Sequence, residues 1–258
     1  VDGTTGDFTA TMTSLDENQK YSFRAYAINS IGTSYGETMT FTTPVGLPVL
    51  SSTSVSSINT TTAVLSCSVI DHCGETVSEV GFYYSKSEDM DPSTTFKTTQ
   101  KYSSNSFSIK IENLEVGTKY YAKAYTKNSA GEVTSEVIEF KTTSTVPSVL
   151  TVGASEISAY SAVLSGEVLD DNGETVTECG FVWLNGTSTP TTSSNVIKLE
   201  GVVGEISATL SSLKPDQKYT FRAYAKNSKG TAYGDVITFT TTKSPGTGEG
   251  FTGDEIEW

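Results

Sequence analysis

The only histidine of the chain, His72, stands beside Cys73 in the run Asp71-His72-Cys73-Gly74-Glu75. A histidine next to a cysteine could activate a thiolate or start a metal site, but either chemistry needs a partner group that a single imidazole in a turn does not have. The counterpart run, Asp170-Asp171-Asn172-Gly173-Glu174, is rich in carboxylates that could hold a hard cation through oxygen. Its Asn-Gly pair is also a strong turn signal, and Gly and Glu fall at matching places in both runs. A strand-connecting turn is therefore the expected structure. A Ser/His/Asp set is impossible with this one histidine, and nothing resembles a glycine-rich phosphate loop opening a helix. Paired carboxylates are the remaining acid–base option, yet thirty acidic residues always supply chance pairs. No catalytic, metal or cofactor residue is expected, and the chain reads as non-enzymatic.

The elements that must position any site are many and small. In 258 residues and 27.5 kDa, hydrophobic residues make up 36%, while there are 41 Thr and 35 Ser, a bias toward β-rich modules with several small cores. The net charge of -13 would be repelled by a phosphate backbone, so nucleic acid is not an expected partner. No window reaches the 18 or more apolar residues of a membrane helix, so membrane attachment is expected only through an N-terminal anchor lost upstream of Val1. Three cysteines at 67, 73 and 179 do not make a disulfide framework; Cys67 and Cys179 read as small buried hydrophobes.

Internal repetition organises the chain. Tyr21-Ser-Phe-Arg-Ala-Tyr-Ala-Ile-Asn-Ser-Ile-Gly32 returns as Tyr120-Tyr-Ala-Lys-Ala-Tyr-Thr-Lys-Asn-Ser-Ala-Gly131 and as Tyr219-Thr-Phe-Arg-Ala-Tyr-Ala-Lys-Asn-Ser-Lys-Gly230, 99 residues apart each time. Ala63-Val-Leu-Ser66 and Gly81-Phe82 recur only once, as Ala162-Val-Leu-Ser165 and Gly180-Phe181, so the first repeat is expected to be a C-terminal half. Turn signals divide the third repeat into strands expected near 156–160, 162–169, 176–184, 195–199, 204–210, 217–227 and 232–241. Within 217–227, Tyr219, Phe221, Ala223 and Ala225 alternate onto a core face. Tyr224, with its equivalents Tyr26 and Tyr125, points outward, where it either offers a stacking row or packs across strands under Arg24, Lys123 or Arg222.

Leu213-Lys-Pro215-Asp-Gln-Lys-Tyr219, the Arg-Ala-Tyr-Ala-x-Asn-Ser-x-Gly run and the closing Phe-Thr-Thr resemble fibronectin type III-like, immunoglobulin-like β-sandwich repeats of Bacteroidetes surface proteins and lipoproteins. The resemblance covers all but the last sixteen residues. It implies an all-β fold of tandem seven-stranded sandwiches, elongated, on a bacterial cell surface or otherwise extracellular. It also implies a tyrosine corner in each repeat, built from Leu15 and Tyr21, Leu114 and Tyr120, and Leu213 and Tyr219. There the buried tyrosine hydroxyl bonds to backbone just upstream, although Glu17 and Val116 replace the proline of the motif.

Four segments follow: residues 1–43 as the last three strands of a half domain, 44–143 and 144–242 as full domains, and 243–258 as an acidic, glycine-rich tail. The expected function is that of a stalk or adhesin segment that spaces or presents an interaction surface. Alternatives are a surface glycan-binding protein of a polysaccharide-uptake system and a structural subunit of a secretion, fimbrial or virion assembly. Candidate contact residues are the less repeated Tyr83, Tyr84 and Trp183, together with Phe251, Ile256 and Trp258. The Glu255-Ile256-Glu257-Trp258 end could add a strand to a sheet edge or dock on a partner protein.

Overall fold

Alternation of apolar and polar residues dominates wherever the chain is regular, and the computed structural model, which describes residues 5–244, is all-β in that range with no helix. The described residues fall into two compact units divided between Thr142 and Thr143.

The first unit opens with four short strands: β1 (Lys20–Phe23), β2 (Tyr26–Ile28), β3 (Thr33–Tyr35) and β4 (Met39–Thr42). They form two antiparallel ladders, β1 with β4 and β2 with β3. Of the three strands expected in 1–43, two form, each in two pieces; residues 5–19 carry none. In the full repeats the strand ahead of the corner exists only by pairing with an earlier strand, and residues 5–43 contain no such partner. Phe23, on the face equivalent to the core, is 46% exposed and Tyr26, on the outer face, 61% exposed.

The same unit continues through β5 (Val49–Leu50), β6 (Ser54–Ser56), β7 (Ala63–Asp71), β8 (Glu79–Ser85), β9 (Phe96–Lys101), β10 (Ser106–Ile111), β11 (Lys119–Asn128), β12 (Gly131–Thr134) and β13 (Ile138–Lys141). One sheet has β7 between β10 and the β5/β6 pair, and the other runs β9-β8-β11-β12 with β13 also on β11. Ala63, Leu65, Cys67 and Val69 alternate inward from β7 to meet Phe82, Ala122, Ala124 and Phe140 of the facing sheet. Each large side chain buried there contributes about 1.5–3 kcal/mol.

The second unit repeats this plan with β14 (Ser148–Ser155), β15 (Ala162–Asp170), β16 (Glu178–Asn185), β17 (Asn195–Glu200), β18 (Gly204–Leu210), β19 (Lys218–Asn227), β20 (Gly230–Tyr233) and β21 (Ile237–Thr240). The sheets are β14-β15-β18 and β17-β16-β19-β20, with β21 also on β19. Two expectations need correction. The strand expected at 156–160 lies at Ser148–Ser155 instead, because Glu156 takes a left-handed φ of 49° and Ser158 donates its amide to Ser161 O, which makes 156–161 a turn. The single strand expected at 232–241 is two, broken where the Gly234 amide turns back to Ala223 O.

The acidic runs are turns in which Asp171 O accepts the Glu174 amide and His72 O accepts that of Glu75. Asn172 and Gly173, like Cys73 and Gly74, have φ between 49° and 90°, a conformation that suits Asn and Gly and strains Cys73. Asp71, Asp170 and Asp171 use their carboxylates as local acceptors for the amides of Cys73, Asn172 and Gly173. Among the described residues no His/Cys/Asp/Glu group is arranged to hold a metal ion. The three cysteines are free, Cys67 and Cys179 buried.

Candidate interaction surface

The outward tyrosine of the long central strand organises the solvent face of each full repeat. Tyr125 points away from the core yet is completely buried, because its ring lies across Gly81, its cross-strand partner on β8. A Cβ at Gly81 would stand 2.6 Å from Tyr125 Cε1 and 2.0 Å from Thr98 O, so only glycine leaves room for the ring. The hydroxyl donates to Glu79 Oε1 at 2.7 Å and meets Thr99 Oγ1 at 2.8 Å. Lys97 Nζ stands 4.1 Å above the ring and pairs with Glu79 at 3.4 Å and Glu132 at 3.7 Å. Tyr83, 4.9 Å from Tyr125, donates to Glu132 at 2.9 Å. Burial pushes the Tyr125 hydroxyl up to about 12, with the Thr99 bond working against it and Glu79 with it. The Tyr125 hydrogen bond, followed by Lys97, holds Glu79 below the usual carboxylate range. The groups satisfy one another through hydrogen bonds and ion pairs and form a latch across four strands.

The third repeat solves the same position differently. Tyr224 is the cross-strand partner of Gly180 and donates to Glu178 Oε1 at 2.8 Å, while Lys198 pairs with Glu178 at 3.1 Å. Val182 takes the place of Tyr83 and is buried. The guanidinium of Arg222 stacks 3.8 Å over Tyr233, and its Nε donates to Pro190 O at 2.7 Å. The Tyr233 hydroxyl accepts the Thr192 amide at 3.1 Å, so the 186–194 loop is drawn over this face.

The half repeat keeps the platform without the cover. Arg24 stacks 3.8 Å over Tyr35, as Arg222 does on Tyr233, and the rings of Tyr26 and Tyr35 are 6.4 Å apart. No strand lies alongside β1 and β2 on the side away from β3 and β4, among the described residues.

The corner residues occupy equivalent places. The hydroxyl oxygens of Tyr21, Tyr120 and Tyr219 accept the amides of Asp16, Glu115 and Lys214, each at 2.9 Å. Leu114, Tyr120, Leu213 and Tyr219 are buried, whereas Leu15 and Tyr21 are only half-buried because no facing sheet closes over them. The neighbours Tyr83 and Tyr84 point to opposite faces of β8. Tyr83 is on the outer face; Tyr84 and Trp183 hold the same inner-face position in their own repeats. Tyr84 stacks on Phe96 at 5.2 Å and Trp183 packs on Tyr219 at 5.9 Å. Phe251, Ile256 and Trp258 lie outside the described residues.

One repeated residue carries a role that its type alone did not announce. Asn128 of the Asn-Ser-x-Gly run accepts the amides of Ala130 and Gly131 and donates Nδ2 to Gly46 O of the segment that enters its repeat. Asn227 does likewise, accepting from Lys229 and donating to Thr145 O and Asp171 O. The signal was present in the identical spacing of the asparagine in all three copies.

No protein-family model matches the chain, and no curated protein matches it.

Proposed function

We propose that this chain is a non-enzymatic segment of tandem fibronectin type III-like, seven-stranded sandwiches that spaces or presents interaction surfaces on a bacterial cell surface. The observation that carries this reading is the use made of the repeated polar residues. Asn128 and Asn227 clamp the entering segment of their repeats, and the Tyr125/Glu79 and Tyr224/Glu178 pairs lock the outer sheets. Residues that recur every 99 positions therefore serve continuity and shape, while the copies differ on their loops and outer faces, where a partner would be chosen. The test is surface display in a bacterial host, with a lipid anchor fused ahead of Val1 and an epitope after Trp258. Deleting residues 143–242 is expected to reduce antibody access to the epitope, and unchanged access would overturn the spacer reading.

A second reading, a surface glycan-binding protein, draws support from Phe96, which is 56% exposed and stacked on Tyr84 at the end of the second repeat. Aromatic faces of this kind stack on sugar rings. It predicts carbohydrate binding on a glycan array that is lost in Phe96→Ala.

A further inference from the structure

One row of residues on the outer face of the sheet β14-β15-β18 separates the two full repeats. In the third repeat Glu167 of β15 stands between Leu150 of β14 and Glu205 of β18, each its register partner. The equivalent places in the second repeat hold Ser51, Ser68 and Ser106. There the Ser68 and Ser106 hydroxyls meet at 2.9 Å and the Ser68 amide donates to Ser51 Oγ at 2.9 Å, so the row closes on itself. Two carboxylates set opposite each other on neighbouring strands repel, and the serine row shows that the same sheet forms without that cost. Among the described residues neither Glu167 nor Glu205 has an ion pair. Leu169, two residues on from Glu167, and Val203, two residues ahead of Glu205, continue the same face. Both are exposed, as are Leu150 and, at the point where β14 shifts register, Val152.

We propose that this face of the third repeat is the docking site for a basic segment of a partner protein in which an arginine is flanked by apolar residues. The guanidinium enters between the carboxylates of Glu167 and Glu205, donates to both and relieves their repulsion. Its apolar neighbours cover Leu150, Leu169 and Val203, so the charge pair fixes the register and the aliphatic rim supplies buried area. Charge selects the occupant. The chain carries a net charge of -13, and its last sixteen residues hold four carboxylates against one lysine, so a second copy and the chain's own tail both arrive with the wrong sign. The second repeat, whose row is neutral and already bonded, lacks the site. This inference deepens the presenting part of the proposed function and rests on it, and it is independent of spacing.

The probe is a phage-displayed library of random dodecapeptides, panned on the full chain and counter-selected on the chain carrying both Glu167→Gln and Glu205→Gln. Enrichment of peptides with an arginine between aliphatic or aromatic residues is expected. A synthetic copy of an enriched peptide should shift the amide resonances of residues 150, 167–169 and 203–205. The double glutamine variant is expected to weaken its binding at least about tenfold and Leu169→Ser about fivefold. Raising salt from about 50 to about 300 mM should weaken wild-type binding several-fold. The urea midpoint of residues 143–242 should stay or rise in the double variant, because a like-charge pair is removed; a lower midpoint would mean that the glutamates serve the fold and would overturn the proposal. Absence of an enriched pattern, or equal binding by the double variant, would overturn it as well. So would the same resonance shifts on adding millimolar calcium alone, which would assign the row to a cation, or self-association that the double variant abolishes, which would assign it to a second copy. Failure here, with epitope access still dependent on residues 143–242, would remove the site and leave the spacer reading in place.

Discussion

Tyr26 and Tyr224 hold the same place in the repeat and follow the same Arg-Ala dipeptide, yet one is 61% exposed and the other fully buried. Nothing in their own strands accounts for this. The difference lies in what stands alongside: β16 pairs with the strand of Tyr224 and sets Gly180 opposite it, Glu178 receives its hydroxyl, and the 186–194 loop closes over the neighbouring Arg222 and Tyr233. The burial of an outward-facing aromatic is thus set by the adjacent strand, whose facing residues lie more than forty positions earlier in the chain.

The strongest way to break this contrast is to distort the strand that lies beside Tyr224. Gly180 has φ 146°, and a Cβ there would lie 2.0 Å from Ile197 O, a backbone atom that cannot swing aside. Gly180→Val is expected to destabilise the second unit by about 3 kcal/mol or more, the range of backbone strain combined with core disruption. Urea unfolding followed by residue-resolved hydrogen exchange should show the loss in residues 143–242 and leave 44–142 unchanged.

Next comes truncation of one core position in two settings. Phe221 is fully buried against Phe181 and Phe239, while its equivalent Phe23 is 46% exposed on the open ribbon. Phe221→Ala should cost about 3–5 kcal/mol. Phe23→Ala should cost less than about 1 kcal/mol, because little apolar area leaves water at that position. Equal costs in a denaturant titration would mean that the first repeat has its cover in solution.

The same pairing sharpens at the asparagines. Asn227 is buried and ties the turn between β19 and β20 to Thr145 O and Asp171 O, so Asn227→Ala should cost about 1–3 kcal/mol by removing these part-buried bonds together. Asn29 accepts the amides of Ile31 and Gly32 in an exposed turn, and Asn29→Ala should cost about 0.5 kcal/mol or less. Proteolysis near residues 143–147 is the sensitive readout for the first variant.

How much of this could be read beforehand divides along a physical line. The 99-residue spacing placed the core of the long strand, because Tyr219, Phe221, Ala223 and Ala225 obey a local period of two that burial then enforces. Strand β14 escaped because Ser148–Ser155 mixes Gly153 and Thr151 with only moderate alternation, and its register shifts at two points; pairing with β15, not local pattern, makes it a strand. The roles of Gly81, Gly180 and Asn128 were equally hidden, since each depends on an atom brought close by pairing across tens of residues. The strands of the Tyr21–Gly32 run and its return were expected in the first repeat, but the absence of a strand in residues 5–19 was not, because strand identity there depends on a neighbour and not on the sequence itself.

The smallest effect isolates the hydroxyl of the outward tyrosine. Tyr224→Phe keeps the ring in its slot and removes only the bond to Glu178, so the expected cost near neutral pH is about 0.5–1.5 kcal/mol. Its pH dependence is more telling than its size. The Tyr224 hydrogen bond, then Lys198, holds Glu178 below its ordinary value of 4.5 in the folded protein. A carboxylate depressed on folding contributes stability that is present above the unfolded pKa and lost as pH falls through the folded one. The wild type should therefore lose stability below about pH 4.5, and Tyr224→Phe should lose less over the same interval, so that the two curves converge at acid pH. The corresponding Tyr26→Phe change, at a hydroxyl with no strand carrying a glutamate beside it, should leave the stability of the chain and its acid limb unaltered. A measurable acid-dependent effect of Tyr26→Phe would mean that a carboxylate reaches Tyr26 in solution, as Glu178 reaches Tyr224.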